Sequence, residues 1–148
     1  MIVTYEQTDG TVETVSTCDL SAIESADIED AMGGTAWREV EDRLRAQDPT
    51  AMRAVLWAVR KRAQADLSFG TFDVPGWRRR LKARIEREEI DDVLQNILAE
   101  ALAASEDSAI DSMLPHLRKM AHDRADVDAA LQAVGKDHLV KAPADSEA

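Results

Sequence analysis

The chain has 148 residues; 45% of them are hydrophobic, which argues against disorder, and only 4% are aromatic, which predicts a core of aliphatic side chains in helices. The length suffices for one domain, or for a small domain with a helical extension. The net charge is −11, no apolar run reaches the roughly 18 residues that a membrane span needs, and the N-terminus lacks a basic leader and an apolar signal core, so we expect a soluble, cytoplasmic protein.

Alternating apolar residues at the N-terminus predict a β-hairpin. Residues Ile2 to Tyr5 would form its first strand, Thr8-Asp9-Gly10 its turn, and Thr11 to Val15 its second strand. Two strands alone are marginally stable in water. We therefore expect the hairpin to pack on helices or to join the sheet of a partner.

Two helices are predicted between the hairpin and residue 48. The first begins at the capping box Ser21-Ala-Ile-Glu24 and ends at Gly33-Gly34. Thr35 is expected to cap the second helix, which Gln47-Asp48-Pro49 ends. The side chains expected to face inward are Ile23, Ile28 and Met32 in the first helix and Ala36, Trp37, Val40 and Leu44 in the second.

The segment from Asp48 to Val74 predicts a third helix followed by an apolar loop. Asp48 is a favourable N-cap, and proline at position 49 suits the first helical turn. Trp57 could lie at the edge of the core or on a binding surface, so we expect Trp57→Ala to weaken binding and to leave most of the fold intact. The residues expected to face inward are Met52, Val55, Leu56, Val59 and Ala63, and apolar residues continue at Leu67, Phe69, Phe72 and Val74.

The second half of the chain predicts helices after a boundary at Pro75-Gly76. Trp77 to about residue 104 reads as one long helix, with a kink at the charged run of residues 86–89. A stripe from Ile110 to Met120 is interrupted by Pro115, which permits either one helix or two short ones. A final helix would be capped by Asp126 and would end at Gly135.

The expected fold class is therefore mainly α with a small N-terminal β-hairpin, an α+β arrangement. Residues 1–75 would form a domain of the hairpin and three helices, as a helical bundle. Residues 76–135 would form an extended helical C-terminal region, and residues 136–148 a flexible tail.

Charge is distributed unevenly along the chain. Residues 1–37 contain eight acids and no Lys or Arg, residues 38–87 contain 13 bases and seven acids, and residues 88–148 contain 14 acids and five bases. The basic middle can be neutralised within the molecule or between copies. Six bases between Arg78 and Arg87 indicate a solvated or internally paired face, a contact with an acidic protein segment, or a phosphate contact. The pI of about 4.6 argues against nucleic acid.

No catalytic residue, cofactor site or metal site is predicted. Cys18 is the single cysteine, and a nucleophile at this position would need a nearby base, whereas His116, His122 and His138 are distant in sequence and match no metal or triad spacing. Paired carboxylates such as Asp91-Asp92 read as a solvated helix face. Phosphate-loop, zinc-protease and serine-elbow motifs do not occur in the sequence. We therefore expect a protein without enzymatic activity or cofactors.

The first half of the chain resembles the tail assembly chaperones of long-tailed, siphovirus-type actinobacterial phages. The resemblance covers about residues 2–75 and includes the hairpin, an acidic first helix and a Trp-containing second helix. Its most specific part is a D-P-x-A-x-R-A-x-L-W helix with an F-x-x-F-D-V exit, formed here by Asp48, Ala51, Arg53, Ala54, Leu56, Trp57, Phe69, Phe72, Asp73 and Val74. Residues 76–148 depart from any pattern of this family that we can assign.

The resemblance implies a protein that binds the tape measure protein in the host cytoplasm, keeps it soluble and helps to recruit tail tube subunits. A second copy of the chain is a further candidate partner. Other candidate functions are a structural virion component, such as a head-tail connector or tail subunit, and an acidic regulator of a nucleic-acid-binding protein. The residues expected to contact a partner are Arg53, Trp57, Arg60, Phe69, Phe72, Val74, Arg78 and Arg79.

Overall fold

In a computed structural model the protein consists of two compact units, residues Met1–Arg84 and Ile85–Ala148. The structure describes the backbone of residues 1–104 and 108–141, and the side chains of residues 1–104 and 108–135. The described residues are mainly helical and include one small antiparallel sheet, which confirms the predicted α+β class. No described helix is both long enough and apolar enough to cross a membrane.

The sheet has three strands in the order β2-β1-β3. The predicted hairpin is present as β1 (Ile2–Glu6) and β2 (Val12–Ser16), with Gly10 at a φ of 86° in the turn. A third strand, β3 (Leu81–Arg84), pairs antiparallel with β1 on the other side. Because β3 joins the hairpin, the first unit ends after Arg84 rather than at Pro75-Gly76.

The prediction of one long helix from Trp77 was wrong. A single helical turn, α4 (Trp77–Arg80), precedes β3, and the next helix begins only at Arg87. Leu81 and Ala83 are buried and Lys82 between them is exposed, which is the period of a strand. The expected kink at residues 86–89 is therefore the start of a separate helix.

The first predicted helix is α1 (Ala22–Ala31), and its capping box is confirmed. The Glu24 backbone amide donates to Ser21 Oγ over 3.1 Å, and the Ser21 amide donates to Glu24 Oε2 over 2.8 Å. Gly33 and Gly34 end this segment with φ of 79° and 81°, as predicted. The inward placement of Ile23 was wrong, because its side chain is 75% exposed, whereas Ile28 is fully buried.

The second helix, α2 (Trp37–Arg45), begins without the predicted Thr35 cap. The carboxylate of Glu29, from α1, accepts the Trp37 backbone amide at 2.6 Å, while the Thr35 hydroxyl donates to the Met32 carbonyl. Trp37 is half-buried and Ala36 is exposed, so neither is part of the core. The residues of α2 that are buried, as predicted, are Val40 and Leu44.

The third helix, α3 (Pro49–Arg60), is the centre of the first unit and packs on α1, α2 and all three strands. Asp48 Oδ1 accepts the backbone amides of Thr50 and Ala51, at 2.7 and 3.1 Å, which confirms the predicted N-cap. Of the five residues expected to face inward, Met52, Val55 and Leu56 are buried, Val59 is half-buried and Ala63 is exposed beyond the helix end.

The second unit contains α5 (Arg87–Ala104), α6 (Ser108–Met120) and α7 (Arg124–Lys141), which contact one another pairwise. Pro115 lies inside α6, which remains one helix. The prediction that the last helix ends at Gly135 was wrong, because glycine costs only about 1 kcal/mol in a helix relative to alanine. The flexible tail predicted for residues 136–148 stays a prediction, since the backbone of residues 136–141 continues α7 and residues 142–148 lie outside the described residues.

Candidate functional site

The loop that follows α3 is held against the helix by Arg53. The Arg53 Nη1 group donates to the carbonyl oxygens of Phe69 and Phe72, at 3.0 and 2.6 Å. Its guanidinium also lies 4.0 Å from the centre of the Phe69 ring, within the range of a cation–π contact. A single arginine therefore fixes two backbone positions and one ring of the F-x-x-F-D-V segment.

Trp57 holds the same loop from the next turn of the helix. Its indole N–H donates to the Leu67 carbonyl at 2.9 Å, and its ring lies 5.3 Å from the Phe69 ring. The Lys61 ammonium lies 4.7 Å from the indole centre. Trp57 is only 7% exposed, so of its two predicted positions it occupies the edge of the core.

Three further residues of the predicted partner surface also make contacts within the first unit. Phe72 and Val74 are buried, and the Arg60 guanidinium lies 5.3 Å from the Phe72 ring. Arg60 also donates to both carboxylate oxygens of Glu13 on β2. A partner role for Arg53, Trp57, Arg60, Phe69, Phe72 and Val74 stays a prediction, and their placement leaves little side-chain surface for it.

The C-terminal end of α3 joins the basic middle of the chain to its acidic first segment. Consecutive bases form ion pairs there: Arg60 with Glu13 at 2.7 Å, Lys61 with Asp27 at 2.8 Å, and Arg62 with Glu24. The hydrogen bond with Glu13 raises the pKa of Arg60 above its usual range. Part of the charge asymmetry in the sequence is therefore neutralised inside the first unit.

Glu24 has two partners, because it closes the α1 capping box and pairs with Arg62. The hydrogen bond with Arg62 is the main reason why the pKa of Glu24 falls from 4.5 to about 2. A carboxylate with a lowered pKa stabilises the fold above its unfolded pKa, and this contribution is lost as pH falls from about 4.5 towards 2.

We expect Glu24→Gln to flatten the acid side of the stability profile between pH 4.5 and 2. The glutamine oxygen still accepts the Ser21 amide, so the cap remains while the titrating group is gone. Urea unfolding at a series of pH values measures the slope. Arg62→Met removes the hydrogen bond that lowers the pKa of Glu24, so it should flatten the profile to a similar extent. If the stability of both variants depended on pH as in the wild type, the Glu24–Arg62 pair would not be the cause of the acid dependence.

The other predicted contact residues, Arg78 and Arg79, line an open cleft beside the turn that follows Val74. The cleft has a volume of about 500 Å³. Its lining residues are Thr8, Pro75, Gly76, Trp77, Arg78, Arg79 and Arg80, and we call it the basic cleft. Gly76 adopts a φ of 70°, which favours glycine, and the Tyr5 hydroxyl donates to the Pro75 carbonyl at 3.1 Å. The sheet and the loop thus both position this turn.

The arginines of the basic cleft differ from those of α3 in their partners. Within the part of the chain that the structure describes, Arg78, Arg79 and Arg80 form no ion pair, and the Arg78 guanidinium lies 5.4 Å from the Trp77 ring. Arg78 and Arg79 are exposed and Arg80 is half-buried. The cleft therefore presents guanidinium groups and an indole ring to solvent.

The other bases of the run at residues 78–87 have different partners. Lys82 is exposed on β3, Arg84 Nη1 donates to the Ala83 carbonyl, and Arg87 pairs with Asp91 in α5 at 3.0 Å. The sequence pattern did not assign Thr8 or Trp77 to a site, and it included Arg80 only as one of the six bases of this run. The sequence feature that could have indicated this cleft is Pro75-Gly76, because a Pro-Gly turn interrupts a helical pattern and exposes the residues that follow it.

Comparison with protein-family models, with curated proteins and with solved structures finds no match for this chain. Over residues 1–104 and 108–135, no three His, Cys, Asp or Glu side chains are grouped so that they could hold a metal ion. Cys18, for which a role as a nucleophile was considered above, is exposed.

Proposed function

We propose that this protein is an assembly chaperone of the phage tail type, which holds a tape measure protein through the basic cleft and has no enzymatic role. The observation that carries the proposal is the cleft itself, where Arg78 and Arg79 are exposed beside Trp77. Arginine and tryptophan are enriched among the residues that dominate protein–protein binding energy. Such a surface suits a polypeptide with carboxylate and apolar groups.

The residues that carry the resemblance to phage tail chaperones also have a role in this proposal, because they hold the loop after α3 in place. Arg53 and Trp57 fix the loop, and the buried side chain of Val74 anchors its exit directly before Pro75. These contacts determine where the chain turns and hence where Arg78 and Arg79 lie. According to this proposal, the residues that carry the resemblance position the loop before Pro75, and Arg78 and Arg79 after it contact the client.

Charge favours a protein partner over nucleic acid at this cleft. The whole chain has a net charge of −11, so a phosphate backbone would be repelled at long range even if three arginines met it locally. An acidic or mixed-charge protein segment needs only a local match. We therefore expect the contact to weaken as salt is added, without being abolished.

The second unit supports the proposal through its exposed apolar side chains. Leu102 on α5 is 64% exposed and Met113 on α6 is 39% exposed. A tape measure protein is expected to be a long helical chain with apolar stripes, and methionine adapts well to such surfaces. The abundance of acids in the same unit would keep a complex soluble.

Co-expression with a candidate tape measure protein tests the proposal. We expect the wild-type chain to increase the soluble fraction of the client and to elute with it, and Arg78→Glu/Arg79→Glu to reduce capture by at least about tenfold, an effect typical of the loss of interface hot spots. Arg38→Glu/Arg124→Glu is the matched control, since both arginines are exposed and the change in net charge is identical.

Three results would count against this function. The client's solubility could be unchanged by co-expression, both double variants could capture it equally, or the chain could be present at stoichiometric levels in mature particles. The last result would favour a structural virion component instead. A long tape measure gene immediately downstream of the coding sequence is a simple supporting observation.

A second candidate function, an acidic regulator of a nucleic-acid-binding protein, is favoured by the charge of the second unit. Residues 85–148 contain 15 acids and six bases. A partner bound in this way would be displaced by DNA or RNA, because both would compete for its basic surface. Capture that is insensitive to nucleic acid favours the chaperone.

A further inference from the structure

The two edges of the sheet in the first unit differ in whether their backbone groups are already bonded. At the β3 edge, the Leu81 amide donates to the Trp77 carbonyl. The Ala83 amide donates to Gln47 Oε1 at 3.1 Å, and Gln47 Nε2 donates back to the Ala83 carbonyl at 2.7 Å. One side chain thus replaces a neighbouring strand, and this edge is closed.

The β2 edge is open at two residues. The Thr17 amide donates to the Met1 carbonyl and the Gln7 amide to the Thr11 carbonyl, and the register between these points is unbroken. Because inter-strand bonding alternates along an antiparallel pair, the odd-numbered residues of β2 bond to β1. The N–H and C=O groups of Val12 and Thr14 therefore point away from the sheet, and no described residue bonds to them.

This edge also lacks several of the features that normally prevent strands from pairing. The β2 sequence Val-Glu-Thr-Val-Ser has no proline or lysine, and its pairing with β1 contains no bulge. Val12 is 55% exposed and Thr14 is exposed. The acidic residue of the strand, Glu13, is paired with Arg60.

We propose that β2 binds β2 of a second copy of this chain in antiparallel orientation, which joins the two sheets into one of six strands. The pairing is centred on Thr14, so that the two Thr14 residues exchange their outward N–H and C=O groups. This inference does not depend on the proposed chaperone function.

The sequence of β2 favours its own copy as the occupant. Centring on Thr14 places Glu13 opposite Val15 of the second copy, so that no like charges face each other. If the pairing were instead centred on Glu13, the Glu13 carboxylates of the two copies would lie opposite each other, which is unfavourable. A two-fold axis perpendicular to the sheet keeps the helix-covered faces of both copies on the same side.

Light scattering coupled to gel filtration, over a concentration series, tests the proposal. We expect wild type to approach twice the chain mass of 16.3 kDa and Thr14→Pro to remain monomeric, because proline removes an outward N–H that bonds to none of the described residues. Thr14→Val is the control, since it keeps the N–H and should associate like wild type. A monomeric wild type, or a dimeric Thr14→Pro, overturns the proposal. A monomeric wild type would favour an extended segment of another protein as the partner of the β2 edge.

Disulfide trapping gives a second test that does not depend on how proline is tolerated. In a Cys18→Ser background, Thr14→Cys would lie opposite its equivalent at about 5.5 Å between Cα atoms, within disulfide range. Thr4→Cys is the matched control, because Thr4 lies on β1 directly opposite Thr14 of the same copy. In the dimer the Cα atoms of the two Thr4 residues would be three strand spacings, or about 14 Å, apart. We expect mild oxidation to cross-link the first variant at least tenfold faster than the second. Equal rates overturn the proposal.

Discussion

Replacement of Leu56 by Asp is expected to abolish the cooperative folding of residues 1–84. Leu56 is fully buried in the centre of α3, the helix that packs on α1, α2 and the sheet. Burying a carboxylate there, together with the loss of the leucine contacts, costs several kcal/mol, a large part of the roughly 5–15 kcal/mol that stabilises a domain. Amide hydrogen exchange resolved along the chain would show protection lost from Pro49–Arg60.

Ile23→Asp is the matched control for this result. Ile23 lies on α1 with 75% of its surface exposed, so the same change of an aliphatic residue to Asp should alter stability by only about 0.5 kcal/mol. The pair also tests the placement of Ile23, which the sequence pattern predicts to face inward. If both variants unfold the unit, the orientation of α1 described above is incorrect.

Trp57→Ala is expected to destabilise the first unit by about 3–5 kcal/mol, the usual cost of replacing a buried tryptophan by alanine. The indole packs against Phe69 at 5.3 Å and holds the Leu67 carbonyl, so its loss also releases the loop before Phe72. This revises the expectation from the sequence, in which the variant mainly weakens binding. Urea unfolding measures the change, and hydrogen exchange should show the largest loss of protection within residues 67–74.

Trp57→Phe separates the two contributions of the indole. Phenylalanine keeps most of the ring contact but lacks the N–H group, so the Leu67 carbonyl loses its donor at a cost of about 1–3 kcal/mol. We expect this variant to fall between wild type and Trp57→Ala. A Trp57→Ala protein with wild-type stability and reduced client binding would contradict the burial of this residue.

Local chemistry in the sequence was sufficient to predict the hairpin and the starts of α1 and α3. Ser21 with Glu24 and Asp48 with Pro49 cap their helices through groups within three residues, so no knowledge of the fold was needed. The cap of α2 was missed for the opposite reason. Glu29 reaches the Trp37 amide only after the glycine turn has brought α1 and α2 together.

The third strand could not be recognised because its sequence fits two periods. Leu81 and Ile85 are four residues apart and suit a helix that begins at Trp77, whereas Leu81, Ala83 and Ile85 alternate as in a strand. A four-residue segment with two basic side chains has little preference of its own. Pairing with β1, which is distant in sequence, decides between the two.

The candidate site was predicted in part. The sequence singled out Arg53, Trp57 and Phe69 as a group, and the structure brings these residues together. The sequence did not show that these side chains turn towards the loop rather than towards a partner. The acceptors of Arg53 and Trp57 are backbone carbonyls, which any residue type provides. Arg78 and Arg79 remained exposed because the turn at Gly76 carries them away from the core.

Gln47 determines how far an assembly built through this sheet can grow. Its backbone adopts a φ of 60°, uncommon for a residue other than glycine, and in this position its amide occupies both outward groups of Ala83. A strand that joins at β2 therefore meets a terminated edge on the far side of the sheet. Pairing through β2 closes after two copies, whereas a chain with both edges open could polymerise into a fibre.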